Sequence, residues 1–341
     1  MKKALYKFFY KMHPYFSVPP YNFFWSKYLK NIDLEFLKND PINVVDVGGR
    51  GGELPELSEI IKNINYFTFD ADAKEAADLE EKLKLKDFNA VKVFDNLLYS
   101  KEQSMDFHIY KSPGESSIFP PNKIYQKNYG DTFDIERTVK LKAVTIDSLF
   151  EQKKLSDIDL FKLDTQGSEL EILKGSAKAI ESLKPVIMEI EVEFYQMYEG
   201  QPLFHDVSAW LHTKGYELLY LNRVHLNRKN FKGISTGQII FGDALFGIKD
   251  VNSLAISKKV KYILLLINYG LIDVAFDIFN EDENLKSSNQ ELQDLFNKKN
   301  KGAGFLSMLT TAIFDRVLFK YLQIRKTNKL RYDSDRSYPI R

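Results

Sequence analysis

Two groups of carboxylates sit where strands run out, and their spacing suits work on a hydroxyl group. The run Ile158–Ser176, IDLFKLDTQGSELEILKGS, reads as a short apolar strand ending on Asp164, a turn at Gly167 and an amphipathic helix. In an open α/β sheet, ligands lie outside the carboxyl ends of the strands, so Asp164 stands at the place of chemistry. About one βα unit later, Glu189, Glu191 and Glu193 alternate with Met188, Ile190, Val192 and Phe194. With a period of two, all three carboxylates share one face of a strand. Burying them is costly, so the later ones are expected to open into a cleft. Asp164 with Glu189 or Glu191 can then act as a general base, or hold a hard cation such as Mg²⁺ or Mn²⁺ through oxygen ligands. His205, in the loop YEGQPLFHD after the carboxylate strand, is a further candidate base, and Glu169 reads as a helix-terminus carboxylate.

A second constellation lies upstream. Asn43–Gly52, NVVDVGGRGG, is a buried strand that stops at Asp46 and turns through Gly48, Gly49, Gly51 and Gly52. Glycines let a backbone approach a ligand closely. The dinucleotide fingerprint G-x-G-x-x-G fails here, because Leu54 occupies its third position. An acid before the glycines repels a pyrophosphate and suits an ammonium or sulfonium group, which favours S-adenosylmethionine over NAD. The next strand ends at Asp70, with Ala71 beside it, near the spacing at which an acid holds ribose hydroxyls. Asn96, after the third strand, is placed to bracket an adenine.

These residues need a sheet to position them. Strands are expected at Asn43–Val47, Tyr66–Asp70, Ala90–Phe94, Ile158–Leu163, Val186–Val192, Glu217–Asn222 and Gln238–Gly247. Helical patterns fall at Leu54–Lys62, Ala73–Leu85, Ser168–Leu183 and Asp206–Lys214. This alternation predicts an α/β, Rossmann-like, mostly parallel seven-stranded sheet, closed by an antiparallel strand because only the loop Arg223–Gly237 separates the last two. Phe107–Leu141, rich in Pro, Ser and Asn, reads as a long insertion on the substrate side. Residues 41–250 are taken as the catalytic domain. Residues 1–40 form a basic, aromatic N-terminal extension, and residues 251–341 a helical C-terminal extension with a basic tail.

Composition narrows the function classes. The 341 residues carry a net charge of +1, which gives no electrostatic case for nucleic acid. Cysteine is absent, so disulfides and thiolate metal sites are excluded. No apolar run reaches the ~18 residues of a membrane span, and the default expectation is a cytoplasmic protein. Lys2–Met12 can lie on an anionic membrane or serve as a packed cap or dimer arm. Val260–Phe279 carries apolar residues at helical spacing and reads as a core or homodimer face.

The constellation resembles the class I S-adenosylmethionine-dependent methyltransferases, and more narrowly the FkbM family. The resemblance rests on VVDVGGRGGE (Val44–Glu53), FDAD (Phe69–Asp72) and SPGESSIF (Ser112–Phe119), and continues through VTIDSL (Val144–Leu149), KLDTQGSELEILKGS and PVIMEIE (Pro185–Glu191). It implies the class I methyltransferase fold and methyl transfer to a hydroxyl of a sugar, glycan precursor or related natural product. It also implies a ligand contact at Ser117, within the Ser116–Ser117 pair. Nucleic-acid methyltransferases commonly carry Asn/Asp-Pro-Pro-Tyr/Phe where this chain has Asp164-Thr165-Gln166-Gly167. A sugar dehydrogenase is disfavoured by the failed fingerprint, and a non-catalytic adaptor by the intact Asp46, Asp70 and Asp164.

Overall fold

The computed structural model describes residues 34–49, 54, 57–71, 73–129, 134–233, 235, 237–299 and 332–334. In chain order these form α1 (Glu35–Asn39), β1 (Ile42–Val47), β2 (Ile64–Phe69), α2 (Ala73–Lys84), β3 (Ala90–Phe94), β4 (Leu97–Leu98) and β5 (Gln103–Tyr110). Next come α3 (Lys123–Tyr129), β6 (Ile135–Val144), α4 (Ile146–Glu151), β7 (Leu160–Leu163), α5 (Glu169–Lys174), α6 (Ala177–Leu183) and β8 (Ile187–Glu193). The remainder is α7 (Phe204–Thr213), β9 (Tyr216–Leu226), β10 (Gln238–Ile248), α8 (Ile256–Asn268), α9 (Ile272–Glu281), α10 (Glu283–Ser288), α11 (Gln290–Lys299) and β11 (Tyr332–Ser334).

The main sheet has the order β11-β9-β10-β8-β7-β1-β2-β3. Strands β3, β2, β1, β7 and β8 are mutually parallel, and β10 is antiparallel to both β8 and β9. This is the expected seven-stranded, mostly parallel sheet, with the short β11 added at the β9 edge. The central strands are apolar runs because helices cover both faces of such a sheet. Val44, Val45, Leu160, Phe161, Ile187 and Met188 are all fully buried.

Four expectations change. Within the described part of Leu54–Lys62 there is a turn and a 3-10 helix at Ile61–Asn63, not an α-helix. The helix expected over Ser168–Leu183 breaks into α5 and α6 at Gly175, where a Cβ would lie 2.2 Å from the Tyr99 carbonyl oxygen. The Phe107–Leu141 insertion is largely ordered: β5 and β6 pair antiparallel, and β4 joins β6 in a separate small sheet. Its polar composition reflects exposure, since most of β6 faces solvent. Val260–Phe279 is two helices, broken at Gly270 (φ +80°), and Ile263–Ile267 is buried in the core of the main sheet. Helix α8 is anchored there by ion pairs, Lys258 with Asp159 at 3.0 Å and Lys261 with Asp159 at 3.2 Å. The region 1–33, the basic tail at 325–331 and Gly52 lie outside the described residues.

Candidate functional site

Two tiers of polar residues run across the middle of the sheet. The lower tier is a row set by strand register. Asp46 on β1 stands beside Lys162 on β7, which stands beside Glu189 on β8. Lys162 bonds the Glu189 carboxylate at 2.6 Å, and Tyr269 donates its hydroxyl to the other Glu189 oxygen at 2.5 Å. Tyr66 donates to Asp46 at 2.6 Å. Burial opposes the Lys162 charge, but Glu189 and Asp46 outweigh it and hold the pKa above the usual lysine range. Burial pushes Asp46 up to about 6 although Lys162 and Tyr66 pull it down.

This row corrects two expectations. Glu189 is 2% exposed and both its oxygens are engaged, so it faces no acceptor and ligates no cation from there. Asp46, expected to suit a ligand's ammonium or sulfonium group, is fully buried under the glycine turn. Its carboxylate would meet a Cβ on Gly49 at 2.3 Å, and its Oδ1 has no hydrogen-bond partner. Gly48 adopts φ +88°, and a Cβ there would lie 1.8 Å from the backbone oxygen of Asp164. The glycines thus bring the β1 and β7 loops into contact.

The upper tier lies at the carboxyl ends of β7 and β8. Carboxylate oxygens of Glu169, Glu191 and Glu193 all fall within 4.8 Å of one another. The cluster is therefore not the expected set of Asp164, Glu189 and Glu191. Glu191 and Asp164 both accept from Gln166 Nε2, at 2.6 Å and 3.2 Å, while Asp164 itself is half-buried. Glu169 accepts from the Thr165 N–H at 2.6 Å, the Thr165 hydroxyl at 3.0 Å and the Gly167 N–H at 3.3 Å, so it braces the turn that carries Asp164. Nor does the β8 face open into a broad cleft, as Glu191 is 9% and Glu193 2% exposed. The turn after β8 covers them. Tyr198 and Gln201 are buried there, and Gln201 accepts from the Tyr198 N–H at 2.5 Å.

Such crowding is tolerable only if protons are held. Burial first, then the neighbouring acids, drives Glu191 and Glu193 well above the ordinary glutamate range. Burial lifts Glu169 to about 7. Each of these groups holds its proton to higher pH when folded than when unfolded, where the reference value is about 4.3. Their contribution is complete below that value and is lost as pH rises through the folded pKa. Thermal melts should therefore show stability declining from pH 5 to pH 8, with Glu169 alone accounting for on the order of 3 kcal/mol. A flat or rising Tm across that window would contradict the protonated cluster.

The remaining predicted residues divide. Asp70, Ala71 and Asn96 are half-buried at the ends of β2 and β3, on the same edge as Gly48 and Asp164. The Asp70 N–H bonds the Phe94 carbonyl at 3.0 Å, which ties those two strand ends together. Ser117 is fully buried and bridges to His108 through the backbone. Its hydroxyl donates to the Gln166 carbonyl at 2.7 Å and accepts from the Phe119 N–H at 3.1 Å, so it supports the loop and does not face a ligand. His205 is 75% exposed on the first turn of α7, beside Asp206 at 3.5 Å.

Two residues escaped the sequence reading. Lys162 carried a signal, since a lysine inside an apolar central strand needs a buried partner. Gln166 carried none of its own, because its importance lies in contacts from three separate segments.

Residues 65–218 match the family model described as the methyltransferase FkbM domain, a span that begins at β2 and leaves the Gly48 turn outside it. No curated protein matches the chain. Among solved structures, similarity is found to the methyltransferase FkbM of Methylobacillus flagellatus KT (15% identity, 60% of this chain and 44% of that one, TM-score 0.34). The precorrin-6y C5,15-methyltransferase of Geobacter metallireducens GS-15 is also similar (10% identity, 61% and 80% of the two chains, TM-score 0.31). So is a SAM-dependent methyltransferase of Aquifex aeolicus (15% identity, 64% and 92%, TM-score 0.29). The chain spans less than half the length of the first of these. Over residues 65–218 the chain is similar to the methyltransferase FkbM domain.

Proposed function

We propose that this protein transfers a methyl group from S-adenosylmethionine to a hydroxyl oxygen of a sugar or glycan precursor. The observation that carries this reading is the carboxylate group at the ends of β7 and β8, next to Asp164, whose backbone lies against the glycine turn at the end of β1. The residues on that edge suit the cofactor. The Gly48–Gly49 turn is free of side chains above the buried Asp46, whose Oδ1 lacks a partner. Asp70 and Ala71 would hold the ribose, and Asn96 the adenine edge. When bound, S-adenosylmethionine supplies an electrophilic methyl carried on a sulfonium.

The chain's own part is to orient the acceptor and take its proton. A sugar hydroxyl is a weak nucleophile, and a carboxylate at hydrogen-bond distance from it raises its reactivity. Asp164 is the half-buried carboxylate of the group, with Glu191 behind it. The upper tier supplies donors to its carboxylates from Gln166, Thr165 and Gly167, an arrangement that serves proton exchange. No step through a metal is invoked. The sugar acceptor follows from the resemblance of the sequence motifs to the family. A peripheral contact of the N-terminus with an anionic membrane and a homodimer are proposed for the full chain.

S-Adenosylhomocysteine should raise the melting temperature of the full chain, and Asp70→Ala should weaken its binding about tenfold, the loss of one or two hydrogen bonds. Asp164→Asn should bind the nucleoside as the wild type does while failing to methylate sugar glycosides supplied with radiolabelled S-adenosylmethionine. Absence of any thermal shift with S-adenosylhomocysteine would sink the proposal.

A further inference from the structure

Two stretches of this chain are basic and free of acids: no Asp or Glu lies between Glu115 and Asp131, or between Glu217 and Asp243. The fold brings them together on the carboxyl-end side of the sheet. The first carries α3, with Lys123 and Lys127 exposed one turn apart, and the second carries the β9–β10 hairpin loop, with Arg228 and Lys232 exposed. The Lys229 N–H donates to the Asn128 carbonyl at 2.8 Å, and the Tyr129 hydroxyl donates to Gln238 Oε1 at 2.7 Å, so helix and hairpin are joined. Arg228 is set by the same residues. Its guanidinium lies over the Tyr129 ring at 5.9 Å and donates to Gln238 Oε1 at 3.4 Å, which leaves most of its five N–H donors unspent. Among the described residues, Lys123, Lys127, Arg228 and Lys232 form no ion pair.

We propose that this basic rim binds a phosphate group of the acceptor, so that the hydroxyl presented to Asp164 belongs to a phosphorylated sugar. The inference rests on the methyl-transfer reading above and names the acceptor class for that same site. Gln238 is three residues before Phe241, which pairs with Glu193 at the carboxyl end of β8, and this places the rim roughly 10 Å from the carboxylates at ~3.3 Å per residue. A sugar ring bearing a phosphate ester bridges such a span. The residues entering α3 are also tied to the turn that covers the carboxylates. The Asn122 N–H donates to the Met197 carbonyl at 3.0 Å, and Pro121 bridges to Tyr198. Acids at the base repel a phosphate while the rim attracts one, so the two charges orient an acceptor with its hydroxyl inward. A guanidinium takes phosphate through paired, charge-assisted hydrogen bonds, and a lysine as a point charge. Ile124 and Phe231, 62% and 53% exposed, adjoin Lys123 and Lys232 in the chain. Two isolated apolar side chains bury too little surface to hold a bilayer.

Inorganic pyrophosphate is the probe. Calorimetric titration of the full-length wild type holding S-adenosylhomocysteine should show saturable pyrophosphate binding that weakens as salt is raised, since exposed charges are screened. Arg228→Gln should weaken it about tenfold, the loss of charge-assisted hydrogen bonds. Lys127→Gln/Arg228→Gln/Lys232→Gln should abolish saturation. Both variants should keep the wild-type affinity for S-adenosylhomocysteine, which shows that they are folded. Arg137→Gln/Lys140→Gln/Lys142→Gln removes as many charges from exposed positions on β6 and should bind pyrophosphate as the wild type does. Pyrophosphate binding that is absent from the wild type, or equal in all these variants, overturns the assignment while S-adenosylhomocysteine binding keeps the methyl-transfer reading intact. So does a triple rim variant that keeps pyrophosphate but no longer co-sediments with vesicles of equal parts phosphatidylcholine and phosphatidylglycerol, because the rim then serves a membrane. Failure of the wild type to bind S-adenosylhomocysteine overturns the methyl-transfer reading itself, and this inference with it.

Discussion

Replacing Lys162 with methionine is expected to destabilise the protein by about 3–5 kcal/mol, the cost of leaving buried charge without its partner. Lys162 lies between Asp46 and Glu189 in the register of three adjacent strands, and all three are nearly or fully buried. Methionine fills much the same volume, so packing is roughly conserved while the counter-charge is lost. Asp46, already raised to about 6, would then be driven further toward protonation, adding proton uptake to the folding equilibrium. Urea titration should show a lower midpoint with an unchanged slope, because the surface exposed on unfolding stays the same. The double variant Lys162→Met/Glu189→Gln should recover part of the loss. A cost below about 1 kcal/mol for the single variant would mean that the row is not a coupled ionic unit.

Gly48→Ala is expected to damage both stability and nucleoside binding. Two costs combine there. The residue sits at φ +88°, where a Cβ carries a penalty of ~1–2 kcal/mol. That Cβ would also lie 1.8 Å from the Asp164 backbone oxygen, so the β1 and β7 loops must separate. Gly200→Ala serves as the control, since Gly200 has φ +77° but nothing within 4 Å of its would-be Cβ. It should show the conformational cost alone and leave binding intact. The extra loss in Gly48→Ala, expected at about 2 kcal/mol or more by analogy with other overpacked sites, measures the closeness of the two loops. Affinity for S-adenosylhomocysteine should fall at least tenfold alongside it. Equal effects of the two substitutions in calorimetry and binding would refute the contact.

The contrast between the two tiers explains how far the residues could be read in one dimension. Strand ends at Asp46, Asp70 and Asp164 follow from apolar runs stopped by polar residues, and every expected main-sheet strand is present within a few residues of its expected ends. The alternation of Glu189, Glu191 and Glu193 likewise placed them on one face. Their separate fates did not follow from it. Glu189 is neutralised by Lys162 and Tyr269, which come from β7 and from the residue after α8, whereas Glu191 meets Gln166 and Glu193 lies with Glu169. Ser117 shows the same limit. Its motif marked it as important, but only the packing of its segment against the Asp164 turn shows that it holds Gln166.

Local chemistry in the chain was therefore enough to determine the sheet, the glycine turn, the acids at strand ends and the reaction class they resemble. These depend on periodicity and backbone freedom, which act over a few residues. Tertiary structure alone decided which carboxylate is paired with a lysine and which is buried among other acids. A carboxylate's protonation is set by burial and by neighbours within a few ångströms, and here those neighbours come from Tyr66, Lys162, Gln166, Tyr198 and Tyr269, up to about two hundred residues apart.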